Sequence, residues 1–377
     1  VAKVTIIGAG IVGLATAFSL TRRAHQVRLI DPSPASGATH YAGGMLAPVA
    51  EVQYRQEKLF PLMKDAARYW PELIAHLAEH TALPLGFDDS GTLVVAADHA
   101  DGQHLEELAL YQHAFAMPAE RITTRQARTE EPALSPRLTG AVSIPGDFQI
   151  YPRVCAEALL DACRTLGVCH IAEAVTHLKA AERVTAIHTT ESVYEVDEDE
   201  QVVLAAGLGA GEITGWDNPL QLRPVYGDIL RVRVPAALQP LCTKVVRAFV
   251  EDRPVYIIPR AVDQTIAIGA STREDHLREP KVGAVYDLLR DAIRILPGLE
   301  ECELIEAATG ARPGSPDDLP YLGRARARNL IVSTGYFRHG ILLSSWAARR
   351  TTELIEGLAP EDLQHCDPYR HERSHTL

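Results

Sequence analysis

The chain is poor in cysteine, with only Cys155, Cys163, Cys169, Cys242, Cys302 and Cys366 in 377 residues, and no two of them form a CxxC pair. Thiols so scattered make no disulfide framework, and they fit a reducing, cytoplasmic compartment. No apolar run approaches the length of a membrane span, and the apolar start reads as a strand, because no basic segment or cleavage site precedes it. Positive charge is in deficit: 37 Lys and Arg stand against 49 Asp and Glu, a net charge of −12. That balance argues against nucleic acid or an anionic membrane as the main partner. Internal repeats and low-complexity tracts are absent too. What remains, 46% hydrophobic and 23% charged, is an ordinary globular composition long enough for two domains. A homo-oligomer is compatible with it.

The first 31 residues carry the most information. Val4–Ile7 reads as a buried strand, and Gly8-Ala-Gly10-Ile-Val-Gly13 follows it directly and opens a run with helical apolar spacing to Leu20. A second strand, Val27–Ile30, ends in Asp31. Gly8 allows the tight turn, Gly10 lets backbone approach a pyrophosphate, and Gly13 lets the helix pack close on the strand. The helix start offers unpaired N–H groups to phosphates, and Asp31 can accept hydrogen bonds from the adenosine ribose. Strand, glycines, helix, second strand and acid in register point to a bound dinucleotide. An acid at position 31 argues against NADP and leaves FAD and NAD open.

Further along, Pro32–Leu46 is a loop of small residues, either a plain linker or backbone laid against a flat ligand. From Glu57 to about Leu83 a helical period is interrupted by Pro61 and Pro71, which predicts a kinked helix or two helices. Gly91–Ala96 reads as a strand, and Gln103–Phe115 and Arg153–Leu166 as helices. A strand at Val168–Ile171 and a hairpin from Ala174 to Val196 follow. Gln201–Ala206 is a buried strand ending in a glycine loop at Gly207, so the nucleotide domain is expected to resume here. Asp228–Val234, Arg247–Val250, Val255–Ile258 and Thr265–Gly269 alternate at short spacing and predict an antiparallel sheet. Lys281–Leu296 is helical, Glu306–Pro320 reads as a connection, and Asn329–Ser333, a turn and a helix from Ile341 to Gly357 make a second strand–glycine–helix unit. The tail after Pro360 looks marginally ordered.

Several of these stretches together resemble the D-amino-acid oxidase superfamily of flavoproteins, most of all its glycine oxidase branch, linked in bacteria to forming the thiazole of thiamine. They are Gly8–Gly13 with Asp31, Ala42–Leu46, Gln149–Pro152, Val202–Gly207, Pro224–Gly227, Tyr256–Arg260 with Ile268–Ala270, Gly310–Pro313 and Gly335–Leu343. They span nearly the whole chain in family order. The resemblance implies an α/β fold: an FAD-binding Rossmann-like domain of the glutathione-reductase type over 1–83, 140–226 and 306–377, and a second, mixed or antiparallel-sheet substrate domain over 84–139 and 227–305.

It also implies non-covalent FAD, since Arg312-Pro-Gly-Ser315 offers no cysteine to hold the flavin. Besides Gly8, Gly10, Gly13 and Gly207, the residues implied to contact the cofactor are Ile11, Val12, Asp31, Pro32, Ala38, Thr39, Gly43, Gly44, Met45 and Val175. Tyr336, Phe337, Arg338, His339, Gly340, Ile341 and Leu342 complete the set, with the helix at Gly340 aimed at the flavin. Arg312 would grip a substrate carboxylate as a fork that cannot lose its charge. Tyr256 would add its hydroxyl, and Arg338 would sit beside the amine through its carbonyl. An ion pair for Arg312 and a core site for Tyr256 are the plain alternatives. Pro254 and Thr272 stand where the best-known type of this enzyme carries a histidine and a methionine, and Thr272 leads us to expect D-amino acids larger than glycine as substrates.

The implied reaction is oxidation of a small amino acid, with O2 as the electron acceptor. It needs no acid–base side chain at the reacting carbon, so none of the fifteen histidines is nominated, and no metal site is assigned to the His365–His371 stretch. A D-amino-acid dehydrogenase with another acceptor, a sarcosine oxidase-like demethylase, a nicotinamide enzyme, and a non-catalytic binding protein or flavin-carrying tRNA-modifying module are the rivals. The acidic balance and the lack of a basic stripe disfavour the tRNA reading.

Overall fold

The computed structural model describes residues 1–372. Its first sheet has six strands in the order Tyr321–Arg324, Leu330–Thr334, Gln201–Leu204, Lys3–Ile7, Gln26–Ile30 and Cys169–Ile171. All neighbours are parallel except the edge strand Tyr321–Arg324. Strands of such a sheet are buried on both faces, which is why they read as unbroken apolar runs. Ile6 and Ile7 point to opposite sides. Ile6 joins the core under the helices Ile11–Arg22, Phe60–Ala78, Pro152–Thr165 and Gly340–Ile355, with Phe18, Trp70 and Trp346. Ile7 packs with Leu178 and Ile187 of the three-stranded sheet Val175–Ala180, Val184–Thr189 and Val193–Glu195. Gly13 shows why glycine is required where the first helix leaves the sheet: a Cβ there would overlap the Gly8 carbonyl oxygen.

The period broken by prolines is one helix. Pro61 lies in the first turn of Phe60–Ala78, where a missing N–H costs nothing, and Pro71 is accommodated inside it.

The second sheet has eight strands in the order Glu303–Gly314, Arg223–Arg233, Thr265–Gly269, Arg253–Arg260, Val245–Val250, Thr92–Ala96, Gly140–Ile144 and Glu120–Ile122. It is antiparallel except where Val245–Val250 meets Thr92–Ala96. Residues 306–314, read in the sequence as connection, belong to a twelve-residue strand. It forms the edge of the sheet, and an edge tolerates the proline at position 313. Residues 140–144 and 303–314 are thus hydrogen-bonded into this sheet and not into the six-stranded one.

The described part of the tail, residues 361–372, is better packed than its composition suggests, and residues 373–377 lie outside the described ones. Cys366 is enclosed, Trp346 donates to Asp362, and Arg370 forks onto Asp317.

Candidate active site

A cavity of about 870 Å³ runs from the Gly8 turn at the top of the six-stranded sheet to the face of the eight-stranded sheet. At the first end Gly8 has φ +102°, and a Cβ would lie 2.5 Å from the Ala205 oxygen. Beside it Gly10 leaves its side open, with only the Thr39 hydroxyl 3.4 Å from where a Cβ would be. Asp31 faces the cavity and accepts N–H bonds from Ala9 and Ser33, each 2.7 Å, so its carboxylate also holds the turn. Thr39 accepts the Ile11 N–H at 3.0 Å, fixing the small-residue loop to the helix start. Leu14 N–H begins the helix ladder on Gly10, so Val12 and Gly13 have amides without intrahelical partners.

The Pro32–Leu46 loop is no plain linker. Gly44 has φ +85°, and a Cβ there would collide with the Ile150 carbonyl. Arg260 donates to Gly43 O, to Gln149 Oε1 at 2.6 Å and to Ile150 O at 3.1 Å, clamping this loop between the two sheets. Opposite it, Tyr336–Ile341 lines the cavity at the start of the Gly340–Ile355 helix. His339 lies there fully buried with Nε2 unpartnered among the described residues, and burial holds its imidazole well below the usual range, so it is neutral. Bare glycine backbone, a helix start free of acidic side chains and an orphaned buried nitrogen suit a large polar planar cofactor.

All the residues expected at the cofactor line this cavity except two. Gly13 sits behind the wall, where it sets helix–strand packing. Leu342 is buried away from it, with its carbonyl accepting from Trp70 at 2.8 Å.

The far end is built on one face of the eight-stranded sheet. Arg247, Tyr256 and Gly269 are directly opposed on three adjacent strands. The glycines are the floor: a Cβ on Gly269 would lie 2.6 Å from Tyr256 Cε2, and one on Gly227 would lie 2.5 Å from the Arg312 guanidinium carbon. Arg312 is half-buried, and its only hydrogen bonds among the described residues are to the Tyr226 and Ser271 carbonyls, all 3.3 Å. It makes no ion pair among the described residues, which removes the plain structural reading of it. Burial pushes its pKa down, a shift that Tyr256 and Asp228 partly offset. Tyr256 makes no side-chain hydrogen bond to a described residue, and burial pushes its phenol up. Arg312, Arg260, Arg338 and Arg247 all oppose that shift.

The Arg338 side chain is committed to Glu51 at 2.7 Å, and Arg247 pairs with the other oxygen of the same carboxylate. Neither Glu51 nor Arg247 stands out in the sequence as a site residue. The one available signal is a charge at 247 within the otherwise apolar run Val245–Val250. Pro254 and Thr272 both line the cavity.

The backbone just before Glu51 is held by a buried carboxyl. Asp147 accepts N–H bonds from Ala50 at 2.6 Å and Val49 at 3.2 and 3.3 Å. Burial nonetheless pushes its pKa up to about 7. The folded chain therefore keeps a proton that the unfolded carboxyl loses near pH 4. Stability from this group is full below about pH 4 and is lost as pH rises to about 7, a difference of up to about 4 kcal/mol. Asp147→Asn is expected to gain in melting temperature over the native protein as pH goes from 5 to 8. Parallel melting curves for the two proteins across that range would contradict this.

The family model for FAD-dependent oxidoreductases of the DAO type matches residues 3–354. Glycine oxidase of Geobacillus kaustophilus is 30% identical over 94% of this chain and 92% of its own length. Its crystal structure superposes with a TM-score of 0.87 over 98% of this chain and all of that one. The bifunctional protein ThiO/ThiG of Trichormus variabilis is 32% identical over 93% of this chain, which spans about half (52%) of that relative. With dinucleotide turn, glycine-floored cavity and near full-length match in agreement, the chain belongs to the DAO family of FAD-dependent oxidoreductases.

Proposed function

We propose that the chain oxidises the amine of glycine and other small amino acids, sarcosine and D-amino acids among them, with O2 reduced to hydrogen peroxide. The observation that carries this is Arg312, a half-buried guanidinium in the cavity with no ion-pair partner among the described residues. A carboxylate matches its fork in shape and supplies the missing charge. The Tyr256 hydroxyl lies beside it without a hydrogen-bond partner among the described residues, ready for a second bond to the same group. Held by these two, a substrate presents its Cα–H in one orientation and loses the entropy that a collision would cost. FAD, held without a covalent bond between the Gly8 turn and the Gly340 helix, supplies the acceptor for two electrons and the Cα hydrogen. The substrate leaves as an imino acid, which water converts to the 2-oxo acid and the free amine (ammonia from a primary amino acid, methylamine from sarcosine), and O2 takes the two electrons with two protons.

Glycine floors at 227 and 269 and a small wall at Pro254 and Thr272 support side chains larger than that of glycine. The match to ThiO/ThiG proteins and glycine oxidases supports a role in thiazole formation for thiamine.

The test is to mix the holoenzyme anaerobically with glycine, sarcosine, D-alanine and D-proline in turn and follow the visible flavin band, then admit air. Bleaching by at least one, with peroxide on reoxidation, is the expected result. Bleaching without peroxide would reassign the chain as a dehydrogenase, and no bleaching by any of them would overturn the substrate class.

A further inference from the structure

We propose that the cavity holds a second anion subsite at Arg247, and that the preferred substrate is an amino acid bearing a second carboxylate. This rests on the reading of Arg312 as the grip for the first one. Two guanidinium groups, Arg247 and Arg338, share the single carboxylate of Glu51, so the cluster carries one positive charge in excess. Arg312 adds another. The Arg247 side chain is 7% exposed and that of Glu51 12%, so water does little to screen the excess. Of the other charged groups near this end, Glu274 and Asp318 lie at the more exposed rim and are paired with Arg223, Asp228 is paired with Arg273, and Arg260 adds a further positive charge beside Tyr256.

Three further observations bear on Arg247. Its Nε is buried with no hydrogen-bond partner among the described residues, so the guanidinium has a donor left over after Glu51 is served. It stands directly opposite Tyr256 in the sheet, on the same face as the Gly269 and Gly227 floor over which Arg312 lies. Burial and repulsion from Arg338 both push its pKa down, as expected for a cation lacking enough negative charge nearby. Arg312, Arg260, Arg338 and Arg247 all act on the Tyr256 phenol, and Tyr256 stands between Arg247 and Gly269 in the sheet. Pro254, two residues from Tyr256 on the same strand face, offers no hydrogen bond or charge to compete for a ligand there. A diacid with one carboxylate on Arg312 and the other at Arg247 would satisfy both charges. A monocarboxylate leaves the second unmatched.

The test uses isosteric pairs on the holoenzyme: D-aspartate against D-asparagine, and D-glutamate against D-glutamine. The ratio of kcat/KM within a pair cancels effects of a substitution on folding or flavin loading. A charge-assisted bond at the second carboxylate predicts a ratio of about tenfold or more in favour of the diacid. In Arg247→Leu, where Glu51 keeps Arg338, the ratio is expected to fall to about one, and Arg247→Lys should restore part of it. Independently of turnover, malonate should perturb the flavin spectrum at a lower concentration than acetate, with the difference lost in Arg247→Leu. Turnover of glycine with ratios near one in the native enzyme would overturn the second subsite and leave the proposed function standing. If no amino acid bleaches an FAD-loaded protein, both fall.

Discussion

Arg312→Leu is expected to lower kcat/KM for small amino acids by about a thousandfold, since truncating one partner of a buried charged pair costs about 2–5 kcal/mol. Arg312→Lys keeps the charge but loses the fork, and a loss of about a hundredfold is expected. FAD content and reduction by dithionite should be unchanged in both. Because the free protein carries this guanidinium unpaired, Arg312→Leu should also raise the melting temperature, so that activity and stability move in opposite directions. Gly227→Ala reaches the same group without altering it: the new Cβ would lie 2.5 Å from the guanidinium carbon and must displace it. It should reproduce much of the loss. If Arg312→Leu retained more than a tenth of native kcat/KM, the carboxylate would be held elsewhere.

The second large effect is on the cofactor. In Gly13→Ala the new methyl overlaps the Gly8 carbonyl oxygen, so the Ile11–Arg22 helix has to move off the strand that starts the sheet. Overpacking of this kind costs about 1–3 kcal/mol, and here it shifts the glycine turn and helix start that face the cavity. The protein is expected to purify nearly colourless, with FAD affinity down by about a hundredfold, the upper part of that range. Gly146→Ala is the control, since nothing lies within 4 Å of its added Cβ. A fully yellow Gly13→Ala protein with native circular dichroism would refute the role of that contact.

The nucleotide end was legible in the sequence because its parts are local: strand, glycines, helix and acid lie within 31 residues, and each has a backbone reason to be there. Arg312 and Tyr256 were reached through the family resemblance, and the structure brings both to the cavity. What stayed hidden is non-local or breaks the usual period. Glu51 sits in an irregular segment and meets Arg247 196 positions further on, a pairing without trace in either neighbourhood. The strand carrying Arg312 was missed because Gly310, Pro313 and Gly314 look like turn residues, whereas an edge strand accepts them. Pro61 reads as a break in a helix whose first turn it occupies. Propensity describes the residue, and position in the element decides its effect.

The pairing of Lys3–Ile7 with Gln201–Leu204 sets a schedule for the living cell. During synthesis the opening strand emerges about 10–40 s before its partner, at ribosomal speeds of about 5–20 residues per second. The centre of the eight-stranded sheet waits as well, since Thr92–Ala96 pairs with Val245–Val250. Such long sequence separation makes for high contact order and slow folding, with apolar edges bare in the interval. Neither sheet can therefore be excised as a contiguous fragment, and expression yield should depend on chaperone supply and slow growth at low temperature more than on the stability of the finished enzyme.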